Sequence, residues 1–441
     1  MPRKRSTRSG HQGLRRAAAA ILCAALAGTP HPTFAASRPL IEPARAMLGF
    51  VCTLQDIGNP APPPGFSLSG QTVSELPGRP PRHRFVFAGV DATEAEAIID
   101  GLGSPVRRII LTLNHAGQPA MQIRAQAPGA ESGNDCTVQE ARRIERDASG
   151  KPQGIIILDA GLADTDERIS LNPPVPEGTD PGGVTVAHID SGVNYVLPQI
   201  GGALARDDAG HILGHDFWDD DDRPFDVDLS RSPFFPLHHG TTVASLLLNE
   251  APHVRLVPMR YPRPDMSLMG DVVTAAIKTG AHIVAMPMGS RDPADWSAFA
   301  DAARAEPDVL FVVSAGNDGL DIDADPLYPA VLDLPNMMVV TSADDFGRIA
   351  QGSNWGSESV DLMVPAERID VTDHRGAAVS ASGSSYAVPR IAALAARLLE
   401  KHPGWKAPDL IAAIAAYAAP GMDRGRARVK LGWIPDPASL P

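Results

Sequence analysis

The chain has 441 residues, of which 44% are hydrophobic and 21% charged, and a formal net charge of −13. That length accommodates two or three domains with cores of their own, and so acidic a body offers no basic footprint for nucleic acid. Beyond the N-terminus no run approaches the roughly 20 apolar residues a membrane span requires.

The first 36 residues carry Arg3, Lys4, Arg5, Arg8, Arg15 and Arg16 and no acid. An apolar block follows at 17–27, then small residues at Thr33 and Ala35. This is the pattern of a secretory signal, with an Arg-rich transit peptide as the alternative, and it predicts a secreted or periplasmic protein. Cys23 leaves with the signal. Cys52 and Cys136 remain, and an oxidising compartment favours joining them in one disulfide, two free thiols being the alternative.

Residues 58–82 are rich in Pro and Gly and read as a loop or linker. The pattern from 84 to 90 is strand-like. Asp91 reads as an N-cap before a helix over 92–102, with Ala95, Ile98 and Ile99 at helical spacing. Residues 106–113 and 120–125 read as strands around a turn at His115-Ala116-Gly117, 137–147 as a helix, and 155–158 as a short strand. The resulting order is β-α-β-β-α-β, the split βαβ pattern. Residues 159–182 hold acids, Pro173-Pro174, Pro176 and Pro181-Gly182-Gly183, and mark a domain boundary. Beyond it strands (184–189, 255–259, 283–286, 309–313, 338–341) alternate with helices (239–248, 270–279, 294–305, 385–400). That alternation predicts an α/β, doubly wound parallel sheet.

Three motifs fall on this second pattern. Asp190, in Ile189-Asp190-Ser191-Gly192, ends an apolar strand, at the edge where ligands gather in open α/β sheets. His239, in His239-Gly240-Thr241, opens a helix, with His238 beside it as an ordinary surface histidine. Ser385, in Gly383-Ser384-Ser385-Tyr386-Ala387-Val388-Pro389, opens a helix apolar on most faces, where backbone N–H groups and the positive dipole end suit an oxyanion. The stretch is not G-x-S-x-G, which disfavours a nucleophile elbow. Asn317, in Ser314-Ala315-Gly316-Asn317, follows another apolar strand and carries an amide able to donate to an oxyanion. Each residue alone also reads as a cap, a turn or a surface group. Their order Asp, His, Ser is that of subtilisin rather than of other hydrolases.

On these residues the chain resembles a subtilisin-like serine protease over about 180–435, with Tyr328-Pro329-Ala330, Ser353-Asn354-Trp355-Gly356 and 361–366 as further echoes. The resemblance implies a serine endopeptidase working through an acyl-enzyme. Ser385 is the nucleophile, His239 the base, Asp190 the orienting carboxylate and Asn317 the oxyanion donor. Met288, Gly289, Ser314, Ala315 and Gly316 are implied to bind substrate. Pro287 stands where Ser is usual and removes one N–H. Ser384 replaces the usual Thr. His188 stands where an aliphatic residue is usual and reads as a satisfied core histidine. An idle binding protein of the same fold, or an esterase, are the rival readings. The implied partners are protein or peptide substrates. Residues 40–175 look like the ferredoxin-like propeptide of this family, an intramolecular inhibitor that would present a strand near Gly289 and be cut within 159–182. The domains expected are thus a signal (1–36), a propeptide-like domain (40–175) and a catalytic domain (180–437). The chemistry requires no cofactor. The acidic run 216–228 is a candidate for Ca2+ through its carboxylates, with a solvated loop as the alternative, and no His/Cys cluster has zinc spacing.

Overall fold

The computed structural model describes residues 40–54, 61–75, 77–102, 106–128, 136–421 and 427–441, so the leader at 1–36 lies outside the described residues. A helix, α1 (Ile41–Thr53), opens the N-terminal domain. Eight strands follow: β1 (Phe66–Ser74), β2 (Arg82–Gly89), β3 (Thr93–Asp100), β4 (Val106–His115), β5 (Gln118–Pro128), β6 (Thr137–Arg146), β7 (Pro152–Leu158) and β8 (Asp164–Ser170). They pair antiparallel in simple chain order. Ala44, Met47 and Val51 of α1 pack with Phe85, Phe87, Ala97, Ile99 and Leu111 in one apolar core. Arg107 donates to the carbonyls of Leu54 (2.7 Å) and Cys52 (2.8 Å), placing a cation at the C-terminal end of α1, where carbonyls are orphaned. The expected disulfide is present between Cys52 and Cys136, with Cα atoms 5.7 Å apart, and ties α1 to the sheet.

This is not the ferredoxin-like order that the sequence suggested. Residues 93–100 bury Thr93, Ala95, Ala97 and Ile99, a period of two, where the helical reading had counted Ala95, Ile98 and Ile99. Asp91 does not cap a helix. Asp91 and Ala92 have φ of 53° and 55° and, with Thr93 N donating to Val90 O at 3.0 Å, form a two-residue hairpin turn with the twist that suits flanking strands. Residues 137–146 likewise pair with both β5 and β7. Strand β1 forms inside the expected linker, and β8 inside the expected boundary, which narrows to the irregular stretch 171–183.

The second domain is built on a parallel sheet of seven strands: β9 (Val184–Asp190), β10 (His215–Asp216), β11 (Val254–Arg260), β12 (Ile283–Met286), β13 (Leu310–Ser314), β14 (Met337–Ala343) and β15 (Leu362–Pro365). Their order is β10-β11-β9-β12-β13-β14-β15. Strand β9 thus has its successors β11 and β12 on opposite sides, an arrangement that opens a crevice at the strands' C-terminal ends. Helices α2 (Pro198–Gly201), α3 (Gly240–Glu250), α6 (Ser384–Lys401) and α7 (Ala407–Ala416) pack on one face, α4 (Met269–Lys278) and α5 (Ser297–Ala305) on the other. A hairpin of β16 (Ile369–Thr372) and β17 (Ala378–Ala381) precedes α6. Alternation along β9 decides which side the chemistry occupies. Ala187 and Ile189 enter the core under α4 and α5, while Val186 enters the core under α3 and α6. His188 and Asp190 share the face of Val186.

The two domains share apolar core. Ile155 of β7 and Leu171 are buried in the same cluster as Tyr195, Phe225 and Val243. Arg142 donates to Phe234 O at 2.9 Å, and Arg124 and Arg142 lie over the Phe235 ring at 3.5 and 4.1 Å. Among the described residues the hydrogen bonds from β1–β8 to the second domain fall on the loop 219–235 and none on Met288, Gly289 or 314–317. The strand expected to dock beside Gly289 is therefore not docked there.

The acidic run is held by cations of the chain itself. Asp216 and Asp219 each accept from Arg260 at 2.7 Å, and Asp221 accepts from Lys151 and Asn172 at 2.8 Å each. Asp216 and Asp219 close on one guanidinium nitrogen of Arg260, a cation the chain itself supplies, and Asp221 turns to Lys151 and Asn172, so these carboxylates are already taken up where a calcium cage would need them free. Arg260 is 2% exposed, also donates to Val227 O at 2.7 Å, and lies 4.5 Å from the Trp218 ring. Removing one partner of a buried ion pair leaves an uncompensated charge. Arg260→Ala is therefore expected to lower unfolding stability by about 3–5 kcal/mol, measured by denaturant titration. A loss below about 1 kcal/mol would show that the cluster is solvated in solution.

Candidate active site

Asp190 is 3% exposed at the end of β9. Its Oδ1 accepts the Ser191 N–H at 2.6 Å, and Oδ1 and Oδ2 face His239 Nδ1 at 2.9 and 2.8 Å. The carboxylate thus fixes Nδ1 as the protonated nitrogen and leaves the lone pair on Nε2. His239 stands at the N-cap of α3 with φ of −139°. A Cβ on Gly240 would lie 2.0 Å from Gly192 O and 3.0 Å from Asp190 Cβ. Only glycine lets the two turns approach so closely. Burial works against the His239 imidazolium, but the charges of Asp190 and Asp226 and the hydrogen bond to Asp190 outweigh it, and its pKa is raised above the ordinary histidine value.

Ser385 lies in the first turn of α6, next to Gly383 with φ of 128°. A Cβ at Gly383 would stand 3.1 Å from Asn317 Oδ1. Ser385 Oγ donates to Pro287 O at 3.4 Å. Among the described residues it makes no hydrogen bond to His239, a looseness common in sites without substrate. The neighbouring Tyr386 ring is 6.3 Å from the His239 ring, and its hydroxyl lies 3.1 Å from Thr242 Oγ1. Ser384 is the buried member of the serine pair. Its N–H and Oγ donate to Asn317 Oδ1 at 2.8 and 3.0 Å, and its Oγ lies 2.7 Å from Ser314 Oγ. Asn317 is exposed, and with Oδ1 taken up by Ser384 the Nδ2 end of its amide is left as the donor.

The residues expected to bind substrate divide. Gly289 and Gly316 reach the surface, and Met288 is half-buried. Ser314 is 3% exposed and Ala315 fully buried. These two brace the loop from beneath: Ser314 Oγ accepts from Gly316 N at 3.1 Å, and Ala315 O accepts from Asn354 Nδ2 at 2.8 Å. Ser290 and Tyr328 exchange backbone bonds of 2.9 Å in both directions, which ties the segment after Pro287 to the loop at Tyr328-Pro329. Leu327 enters the gap between the two glycines. Its Cδ2 would lie 3.4 Å from a Cβ on Gly289 and 2.5 Å from one on Gly316.

Several functional neighbours carried no signal in the sequence. Asp226 was hidden in the acidic run, and His374 and Leu327 match no spacing rule. His238 is not a surface histidine. It stacks on His374 with ring centroids 3.6 Å apart, and its Nδ1 donates to Asp226 O at 2.6 Å. His188 is a core histidine but only half satisfied: Nε2 donates to Gly240 O at 3.1 Å and stands 3.7 Å from Asp190 Oδ2, while Nδ1 has no partner among the described residues. Burial lowers its pKa and keeps it neutral. Asp226, His238 and His374 bring ligand atoms within 4.8 Å of one another. Stacked, near-parallel rings cannot aim their in-plane lone pairs at one ion between them, and the Asp226 carboxylate already accepts four hydrogen bonds, so the donors do not fit a metal.

Residues 182–433 match the model of the subtilase family. Among similar proteins are the thermophilic serine proteinase of Bacillus sp. (strain AK1), 28% identical over 49% of this chain and 52% of that protein, and the halolysin-like extracellular serine protease Nep of Natrialba magadii, 26% identical over 52% and 42%. The chain spans about half the length of these curated relatives. A solved cold adapted subtilisin-like serine proteinase aligns over 60% of this chain and 93% of its own, with 26% identity and a TM-score of 0.47. With more than half of its length matched by the family model, the chain belongs to the subtilase family.

Proposed function

We propose that this protein is an exported serine endopeptidase. The observation that carries the reading is the buried Asp190 carboxylate bonded to His239 Nδ1 at 2.8 Å, with Ser385 on the neighbouring helix end and Asn317 pinned by Ser384. In this reading Ser385 Oγ attacks the scissile carbonyl as His239 Nε2 takes its proton. The oxyanion is held by the Ser385 N–H and Asn317 Nδ2. Collapse breaks the C–N bond, and the leaving amine takes the proton from His239. Water then repeats the sequence on the acyl-enzyme, and Asp190 stabilises the imidazolium throughout. Export is supported by the basic and apolar N-terminus, by the Cys52–Cys136 disulfide and by the word extracellular in the name of one relative. Among the described residues no helix is long and apolar enough to cross a membrane.

Asn317→Ala is expected to lower kcat by about 10²–10³ with little change in KM, the magnitude being that of the corresponding asparagine donor in subtilisin itself. Ser384→Ala removes only one of the two bonds to Asn317 Oδ1 and is expected to cost a smaller factor. Steady-state kinetics on a chromogenic peptide measures both, and an unchanged kcat in folded Asn317→Ala removes it from the oxyanion site.

The filled gap between Gly289 and Gly316 leaves room only for small side chains on the acyl side of the scissile bond. Wild type is therefore expected to cleave after Ala or Gly in preference to Phe. Leu327→Ala should raise kcat/KM for Phe substrates by about tenfold or more, the discrimination typical of a methylene or two in an apolar pocket, with Ala substrates nearly unaffected. Equal use of Phe and Ala by wild type would refute the steric assignment.

The founding test is labelling with a fluorophosphonate, followed by peptide mapping. Wild type should carry the label on Ser385, and Ser385→Ala should take none and lose proteolysis. Label on Ser384, or none on wild type, would overturn the reading.

A further inference from the structure

Beneath the turns that carry Asp190 and His239 lies a carboxylate that the reaction does not use. Asp226 is fully buried. Its Oδ1 accepts the Ser191 hydroxyl at 2.6 Å and the backbone N–H of His239 at 3.1 Å. Its Oδ2 accepts the N–H and hydroxyl of Thr241 at 3.0 and 2.5 Å. Ser191 Oγ in turn accepts the Gly240 N–H at 3.0 Å, which closes a ring of bonds between the two turns. The third piece of the site is joined as well. His374 Nδ1 lies 3.5 Å from Asp226 Oδ2, and its ring covers His238. His374 sits between β16 and β17, and β17 leads into Gly383 and Ser385.

Burying a lone carboxylate is costly unless it is paired or fully hydrogen-bonded. Among the described residues no Lys or Arg lies within ion-pair distance of Asp226. Four donors supply the compensation: one is the backbone N–H of the proposed base itself, and the other three belong to Ser191 and Thr241, within two residues of Asp190 or His239. Burial by itself would raise the Asp226 pKa, but His374 and these donors override it and hold the group well below the usual carboxylate range. The charge is therefore present throughout the range in which a histidine titrates.

We propose that Asp226 is a positioning residue for catalysis: it holds the His239 backbone and the Asp190–Ser191 turn in register, and adds a second negative charge at the His239 imidazole. This rests on the reading of Asp190, His239 and Ser385 as the acyl-transfer machinery. The groups that face His239 are Asp190, Asp226, the neutral His188 and the Tyr386 ring. Those that face Asp226 are His238 and His374, with Arg375 acting on His238 from the same hairpin. Of these, Asp190 and Asp226 favour the His239 imidazolium. Removing the Asp226 charge must therefore lower the pH at which His239 loses its proton, and so move the acid limb of kcat/KM downward.

The test compares wild type, Asp226→Asn and Thr241→Val in peptide hydrolysis and in fluorophosphonate labelling from about pH 5 to 9, a range that brackets histidine titration, with circular dichroism to establish folding. Asp226→Asn is expected to lose about tenfold or more in kcat, to keep KM within about twofold, and to shift its acid limb to lower pH. Thr241→Val keeps the N–H and the Asp226 charge but loses one donor. It should lose a smaller factor in kcat and leave the limb in place. A folded Asp226→Asn with wild-type kcat and an unmoved limb would overturn the proposal. Should that variant not fold, wild-type kcat in Thr241→Val would overturn it instead. Failure of wild type to take the label at Ser385 is a distinct result, which removes the proteolytic reading and this inference with it.

Discussion

The bond between Asp190 and His239 Nδ1 requires that the C-terminal end of β9 and the N-terminal end of α3 meet on one face of the sheet. Two geometric facts secure this. Alternation along β9 sends Asp190 to the α3 and α6 side, and parallel connections return each helix to the N-terminal end of the next strand, leaving helix starts over strand ends. Ser385 reaches the same place by another route: α6 follows the antiparallel β16–β17 hairpin, and Ser385 Oγ donates to Pro287 O on the extension of β12. The chemistry is thus gathered from positions as far apart in the chain as Asp190 and Ser385, by a sheet that needs only its apolar residues to form.

Close approach has a polar consequence. The turns after β9 and before α3 nearly touch at Gly240, and their backbone N–H groups are then shut away from water. Ser191, Thr241 and the Asp226 carboxylate take up those donors. A buried network of this kind is stiff when complete, because each member loses its full solvation if a partner moves. On the other side of the cleft Ser314, Ser384 and Asn354 do the same for the loop that bears Asn317. The site therefore sits between two braced loops, and the side chains proposed to react are among the few polar groups there left open to solvent.

The N-terminal domain shows a different balance. Its strands carry charges on the outward face that pair across neighbours, as Arg84 does with Glu96 and Arg82 with Asp100, each at 2.7 Å, while small and apolar residues alternate inward onto α1. Its inner apolar residues make one core and Ile155 joins another, shared with Tyr195 and Val243 of the second domain. The loop 219–235 that receives Arg142 and Lys151 also contains Asp226, so the seat of the N-terminal domain and the support of the proposed base belong to one segment.

The sequence by itself determined the class of the second domain, because strands buried on both faces must be apolar throughout and their helices must be amphipathic or buried. It also marked Asp190, His239, Ser385 and Asn317, through the order of their motifs and the family resemblance those motifs carry, since each residue alone reads equally as a cap, a turn or a surface group. The N-terminal domain was misread, because Ala95, Ile98 and Ile99 satisfy a period of 3.6 while Ala95, Ala97 and Ile99 satisfy a period of two. Only the partners on either side, β2 and β4, choose between them. Tertiary structure alone decided the fate of the acidic run, where Arg260 arrives from β11 and Lys151 from the turn before β7, and the contacts of Asp226, His374 and Leu327. Those three act through contacts between segments far apart in the chain, and local spacing holds no record of which segments the sheet brings together.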